Sequence, residues 1–178
     1  VYTTRIAVVF NLCIYYAYDV EFTNLFDRLT GVLNQGTYLR KIKKVKPQQT
    51  LVILDIDNFK DINDNYGHQL GDSCLCIVSQ AIKSTFGNYG HCYRIGGDEF
   101  AVILRKESKV QSLITRFERN FADKTKELSY QVNVSIGYAK YEINDSVESV
   151  VQCADLNMYN NKKAKKALKA TLETTVKK

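Results

Sequence analysis

The sequence has 178 residues, of which 45% are hydrophobic and 25% are charged, as expected for one ordinary globular domain. No stretch is rich in proline or serine and no repeat is present, which excludes a solenoid. The formal charge of +6 is concentrated in lysines near the C-terminus. No aromatic residues interleave them as in a nucleic-acid groove, so nucleic acid is not an expected partner.

The cysteines are odd in number and sit within apolar runs, and none of their spacings matches a zinc site. This pattern predicts reduced core residues in a cytosolic compartment. They are Cys13, Cys74, Cys76, Cys92 and Cys153.

Residues 1–26 are predicted to form a lead-in helix, in which Ile6 to Tyr18 are almost all apolar. This run is too short to span a bilayer. Two interpretations stand level. The run is the cytoplasmic end of a truncated transmembrane helix, or it is an amphipathic helix that docks on the domain or dimerises. The first predicts a cytoplasmic domain of a membrane-anchored protein, with a membrane tether or sensor domain N-terminal to it.

The remaining elements follow from hydrophobic periodicity. The pattern predicts a helix capped by Asn34, a strand at 51–54 buried on both faces, and a helix at 70–86. Further elements are a hairpin of 92–95 and 100–104, a helix over 110–121, a strand at 132–138, and a helix from Asp145 or Ser146. This order indicates an α/β (α+β) sandwich with a mostly antiparallel sheet flanked by helices, and not a doubly wound parallel sheet.

Two acidic segments stand out. Asp55 and Asp57 follow the buried strand on one face, and the turn Gly96–Gly97 presents Asp98 and Glu99. Taken alone, the first is explained by solvated strand-end carboxylates and the second by an ordinary hairpin turn. Together they predict a cluster of three or four carboxylates, which is costly without divalent cations and is typical of two-metal sites.

The segment after Asp57 carries groups suited to a nucleotide. Backbone N–H groups near Phe59 and the charge of Lys60 can hold phosphate oxygens. Asn63 and the carboxylate of Asp72 can hydrogen-bond the edge of guanine. Helix capping and turn formation are the competing explanation for Asn63 and Asp72.

These motifs resemble those of one family. Residues 55–72 resemble its DxDxFKxxNDxxGHxxGD signature, and 94–100 match its RxGGDEF signature unaltered. Residues 27–34 are similar to its N-terminal DxLTGLxN motif, 134–137 to its late strand, and 154–162 to its last helix. The chain is identified on this basis as a member of the GGDEF domain family, the catalytic domain of diguanylate cyclases. The resemblance covers 27–166, leaving 167–178 as a basic C-terminal tail.

The resemblance implies a fold like nucleotidyl cyclases and polymerase palm domains, and a set of site residues. Mg²⁺, with Mn²⁺ as an alternative, would be held by Asp55, Asp98, Glu99 and the Ile56 carbonyl. Asp98 or Glu99 would help to deprotonate the 3′-hydroxyl. His68 is expected to be structural. The expected substrate-binding and assisting residues are Asn63 and Asp72 at guanine, Phe59, Lys60 and Lys162 at the phosphates, Gly96 and Gly97 at the turn, and Arg94 at the phosphates or the dimer face.

The implied reaction joins two GTP molecules into cyclic di-GMP and pyrophosphate across a head-to-head homodimer. The alternatives are an inactive GTP-binding regulatory GGDEF domain, a cyclase making a mixed purine dinucleotide, and a helix-mediated dimerisation or membrane-tethering module. The last leaves the acidic cluster without a reason.

The sequence departs from the family pattern at three places. Gly87 and Gly90 occupy the positions of the RxxD product-inhibition site, so no feedback inhibition through that site is expected. Gln35 replaces the usual Arg. Lys165–Lys166–Ala167 replace Gly-Arg-Asn, and Lys166 keeps the charge without the planar fork of arginine.

Overall fold

The computed structural model describes residues 2–105, 109–126, 128 and 130–176. The predicted tail residues 177 and 178 lie outside them, and 167–176 continue the last helix. The elements of the described part are α1 Tyr2–Leu25, α2 Gln35–Ile42, β1 Thr50–Ile56, α3 Phe59–Tyr66, α4 His68–Phe86, β2 Gly90–Arg94, β3 Glu99–Leu104, α5 Val110–Thr125, β4 Val134–Lys140 and α6 Val147–Val176.

The four strands form one sheet in the order β2-β3-β1-β4. Each neighbouring pair is antiparallel, with β1 between β3 and β4. The predicted antiparallel sheet flanked by helices is therefore confirmed.

The continuous apolar run of β1 is explained by its two buried faces. Val52 and Leu54 point into a core shared with α4 and α5. Leu51 and Ile53 point into a second core shared with α2 and α6. Because successive side chains of a strand alternate between faces, a central strand covered on both sides needs apolar residues at every position.

Side chains of α6 hold the outer strand β4. Asn157 donates to the carbonyl of Tyr138 at 3.0 Å, and the Asn161 side-chain oxygen accepts from the backbone N–H of Ile136 at 3.1 Å. Lys165 donates to the Val134 carbonyl at 2.7 Å. These three residues are spaced i, i+4, i+8 along the helix, so they share one face and satisfy the open edge of β4.

Gly137 explains how closely α6 approaches the sheet. A Cβ at this position would collide with backbone atoms of Ala154 and Met158. The close packing brings the next turn of α6, with Lys162, to the end of β1.

The predicted order of elements omitted α3, which the structure shows as a separate helix before α4. Strand β4 begins at Val134, two residues later than predicted. The reason is its partner: Val134 pairs with Ile56, the last residue of β1, and beyond that pair the contact continues as a hydrogen bond from the Asp57 N–H to the Asn133 carbonyl at 2.9 Å.

The prediction that all five cysteines are core residues is wrong for three of them. Cys74 and Cys92 are buried, whereas Cys13 and Cys153 are exposed and Cys76 is half-buried. All five are free thiols. The exposed pair lies on α1 and α6, whose apolar residues are only partly covered.

Helix α1 exposes a broad apolar surface that includes Ile6, Phe10 and Tyr16. Its closest tertiary contacts are with α2. Among the described residues, no helix combines the length and hydropathy needed to cross a membrane.

Candidate active site

The acidic segments meet where β1 ends beside the β2–β3 turn. Asp55 pairs with Glu99 across the two antiparallel strands, so their side chains leave the sheet on one face. The Ile56 backbone N–H donates to the Asp98 carbonyl at 3.2 Å, which places the turn directly over the strand end. The structure thus brings Asp55, Ile56, Asp98 and Glu99 together.

Lys162 supplies the positive charge of this cluster. Its ammonium donates to Asp55 and lies 3.8 Å from Asp57 Oδ1. Ser135 also donates to Asp57 Oδ1, at 2.7 Å. A lysine from α6 thus compensates part of the negative charge of this neighbourhood. Lys162, which was expected at the phosphates, contacts these carboxylates in the structure.

The pKa values of the clustered groups reflect their burial and the negative charge around them. Burial raises the pKa of Asp55, and Asp98 and Asp57 raise it further against the opposing effect of Lys162. Burial, followed by repulsion from Asp55 and Asp98, raises the pKa of Glu99. Burial lowers the pKa of Lys162, but the hydrogen bond to Asp55 and the charges of Asp55, Asp57 and Asp98 together outweigh it, and the net shift is upward. The site therefore holds more negative charge than it can comfortably compensate.

The donor set fits magnesium in part. In the described portion of the chain, no three His, Cys, Asp or Glu side chains are already arranged as metal ligands, although Asp55, Asp98 and Glu99 lie close enough to affect one another's charge. Lys162 contacts one oxygen, Oδ1, of both Asp55 and Asp57. Magnesium commonly uses only one or two carboxylates, with waters and substrate phosphates completing its shell. Asp55 and its strand partner Glu99 meet that requirement.

Arg94 links the signature turn to the N-terminal motif. Arg94 donates to the Gly97 carbonyl through Nη2 at 2.7 Å and Nε at 3.2 Å. Its Nη1 lies 3.2 Å from Asp27 Oδ1. Burial raises the pKa of Asp27, but hydrogen bonds from Thr30 and the Arg94 charge outweigh it and lower the pKa. Arg94, expected at the phosphates or the dimer face, here ties the turn to the N-terminal motif.

The two glycines of the turn differ. A Cβ on Gly96 would lie 2.6 Å from Glu99 Oε2, so the Glu99 carboxylate folds over this residue. A Cβ on Gly97 would meet nothing within 4 Å. Only Gly97 therefore leaves open space for an approaching group.

The expected nucleotide residues line the junction of α3 and α4. Asn58 adopts a left-handed backbone with φ 55°, and its side chain does not cap α3, which leaves first-turn N–H groups near Phe59 available. Lys60 is exposed. The Asn63 amide packs on Gly71, where any side chain would collide with it, and the next residue is the exposed Asp72. His68 begins α4.

Asp57 was predicted as part of the acidic cluster, whereas three further residues of the site, Asp27, Ser135 and Asp155, were not assigned a role from the sequence. Asp57 and Ser135 bind each other, Asp27 binds Arg94, and Asp155 lies near Glu99 and adds to its raised pKa. Asp57, Asp27 and Ser135 belong to motifs recognised in the sequence, which was a usable signal. Asp155 also lies in a recognised motif, residues 154–162 of α6, but its position near Glu99 depends on how α6 packs against the sheet.

The departures from the family pattern lie around this region. A Cβ on Gly90 would collide with the Ile103 backbone, and one on Gly87 would lie 2.5 Å from the Lys83 carbonyl oxygen. The backbone at both positions is thus fitted to glycine. Gln35 is the exposed first residue of α2. Lys165 is engaged with β4, while Lys166 is exposed.

Comparison with known proteins identifies relatives with this architecture. The sequence model of the family described as "Diguanylate cyclase, GGDEF domain" matches residues 24–167. Diguanylate cyclase DgcN of Escherichia coli K12 is 35% identical over 153 residues, covering 79% of this chain and 37% of DgcN. Diguanylate cyclase DgcS of Shewanella oneidensis is 32% identical over 154 residues, covering 81% of this chain and 51% of DgcS.

A solved structure shares the fold. The crystal structure of the coiled coil and GGDEF domain of DgcB from Caulobacter crescentus, in complex with c-di-GMP, has a TM-score of 0.74 and 23% identity. The alignment covers 90% of this chain and 92% of that one. The chain spans about half or less of the curated relatives' length. By its family match, its identity to these relatives and its fold, the chain belongs to the diguanylate cyclase GGDEF domain family.

Proposed function

We propose that this domain is a Mg²⁺-dependent diguanylate cyclase that condenses two GTP molecules into cyclic di-GMP and two pyrophosphates. The observation that carries the proposal is the strand pairing of Asp55 with Glu99 beneath the Asp98 turn. Their raised pKa values indicate an excess of negative charge that a divalent cation would relieve.

Asp55, Asp98, Glu99 and the Ile56 carbonyl would hold Mg²⁺, with Mn²⁺ as an alternative. The ion would lower the pKa of the 3′-hydroxyl and stabilise charge on the α-phosphate. Asp98 or Glu99 accepts the proton of that hydroxyl, a role suited to a carboxylate of raised pKa such as Glu99.

Asn63 and Asp72 bind guanine at the α3–α4 junction. The first turn of α3 and Lys60 bind phosphate oxygens. Lys162 lies at the carboxylates that would hold the metal ion, where its ammonium would also be within reach of the phosphates of a bound nucleotide. Gly97 gives the backbone a free approach to the nucleotide.

Each protomer carries one GTP, and two protomers meet face to face. Each 3′-hydroxyl attacks the α-phosphate of the partner's GTP, forming two phosphodiester bonds and releasing two pyrophosphates. The protein contributes mainly positioning and charge stabilisation. In this proposal the catalytic unit comprises 27–166, with 1–26 as its lead-in helix.

Product inhibition through an RxxD site is absent from this proposal. Gly87 and Gly90 offer no charged side chains, and the backbone at both positions leaves no room to add them without movement.

Detection of cyclic di-GMP by mass spectrometry after incubation with GTP and Mg²⁺ tests the proposal. The wild type should form the product, and Asp98→Ala and Glu99→Ala should each lose at least about a hundredfold in rate, the range for losing a group that stabilises charge. Glu118→Ala, which removes an exposed carboxylate on α5, is the matched control and should retain activity.

A forced dimer that binds GTP yet forms no cyclic product would support the inactive regulatory alternative instead. Incubation with mixed GTP and ATP tests the alternative of a cyclase that makes a mixed purine dinucleotide. Such a dinucleotide as the main product would contradict guanine selection by Asp72.

A further inference from the structure

A cavity of about 440 Å³ opens between the N-terminal motif, α2, the end of α4 and the start of β2. Its wall includes Gly87 and Gly90. Because neither residue has a side chain, the surface that would otherwise carry charged groups is left open. The volume lies in the range of small-molecule sites.

The floor of the cavity is apolar. Val32 and Cys92 are buried there, and Phe26 and Leu33 are half-buried. The one hydroxyl of the wall, on Thr37, already donates to the Leu25 carbonyl at 3.1 Å. A floor of this kind suits an aliphatic or aromatic body. It does not suit a nucleotide base, whose polar edge would lose its hydrogen bonds to water.

The rim of the cavity is cationic. Its exposed wall residues include the two lysines Lys41 and Lys83, on α2 and α4, and the imidazole of His91 on β2 is a further polar group there. Apolar floors with a few convergent polar groups are the usual form of ligand sites. The combination is complementary to a ligand with an apolar body and one anionic head.

We propose that this cavity binds a small amphipathic anion, with its aliphatic or aromatic body on the Val32–Cys92 floor and its carboxylate at Lys41 and Lys83. The proposal does not depend on the cyclase reaction. Its position has a structural consequence, since Leu33 donates to the Cys92 carbonyl at 3.0 Å and accepts from Arg94 at 2.8 Å. A ligand there would contact both the lead-in motif and the strand that enters the signature turn.

The test is a ¹H–¹⁵N chemical-shift titration of the full chain with 1-naphthoate, using the uncharged 1-naphthamide as matched probe. The amides of Gly87, Gly90 and His91 should shift saturably with naphthoate and far less with naphthamide. Lys41→Glu combined with Lys83→Glu should weaken naphthoate binding about tenfold. Lys44→Glu combined with Lys46→Glu makes the same charge change on exposed residues outside the wall and should leave affinity unchanged.

Three outcomes would overturn the proposal. The first is no shift of these amides with naphthoate, and the second is equal binding of naphthamide or an equal loss in the control variant. The third is saturable shifts with cyclic di-GMP in place of naphthoate, which would make the cavity a nucleotide site. Both double variants replace only exposed lysines, so the comparison does not depend on a variant that fails to fold.

Discussion

The ionised Glu99 side chain lowers the stability of the fold, although the proposed activity requires it. Its carboxylate faces Asp55 across the strand pair and folds over Gly96. Burial and repulsion raise its pKa, so the folded state binds its proton more tightly than the unfolded chain does. The stability linked to that proton is complete below the ordinary pKa and is lost as the pH rises through the raised value. At neutral pH, ionised Glu99 therefore destabilises the metal-free fold.

We expect Glu99→Gln to raise the melting temperature without Mg²⁺ at about pH 7.5, and this gain should vanish near pH 4, where the wild-type group is protonated. The gain should stay below about 1 kcal/mol, because solvent screens this largely exposed side chain. Thermal denaturation at the two pH values measures it.

Glu118→Gln, which makes the same change in net charge on α5, should show no comparable gain. Added Mg²⁺ should stabilise the wild type more than Glu99→Gln. A melting temperature at neutral pH that is equal or lower in Glu99→Gln would contradict the argument.

At the scale of the element, the β2–β3 turn separates two functions between its glycines. Gly96 makes room for the Glu99 carboxylate, while Gly97 faces open space. Gly96→Ala should fold, because the clash is with the end of a flexible side chain. It should raise the Mg²⁺ concentration needed for half-maximal activity about tenfold or more, the usual cost of disturbing a residue that supports a metal ligand.

Gly97→Ala is the matched variant. It should keep the Mg²⁺ dependence of the wild type and raise the KM for GTP, since its methyl group enters only the space left for the nucleotide. Kinetics against Mg²⁺ and GTP separate the two. Identical profiles for both variants would show that the glycines share one role.

The elements differ in how far their sequences determine them. The strand run at 51–54 and the amphipathic α5 were predictable, because their patterns reflect which faces are buried. Helix α3 was missed, although Phe59, Ile62 and Tyr66 follow a helical spacing. Its polar motif residues made the segment look like a turn. The start of β4 was set by the length of its partner β1, which no local pattern records.

The same distinction applies to the site. The acidic motifs marked Asp55, Asp98 and Glu99 because their chemistry is concentrated in short segments. The ion pair of Lys162 with Asp55 joins residues 107 positions apart in the chain. It depends on how α6 packs against β4, and the close approach at Gly137 could be recognised only in three dimensions. The motifs therefore identified the acidic residues, whereas the packing of α6 determined which charged side chain contacts them.

For the whole molecule, α1 is an apolar helix that the rest of the domain leaves largely uncovered. Helix α1 exposes Ile6, Phe10 and Leu12, and packs mainly against α2. The proposed reaction needs two sites facing each other, while one chain carries one site. Activity should therefore be set by how often two chains meet.

We expect specific activity to rise with chain concentration for the chain alone. A parallel leucine zipper fused before Val1 should make it higher and independent of concentration, because linkage gives the second site an effective concentration near the millimolar range. Rates of cyclic di-GMP formation over a dilution series measure both. A fusion carrying a zipper with polar residues at its core positions is the control, and it should behave like the unfused chain. Equal activity per chain at every dilution, with and without the zipper, would mean that one domain completes the reaction alone.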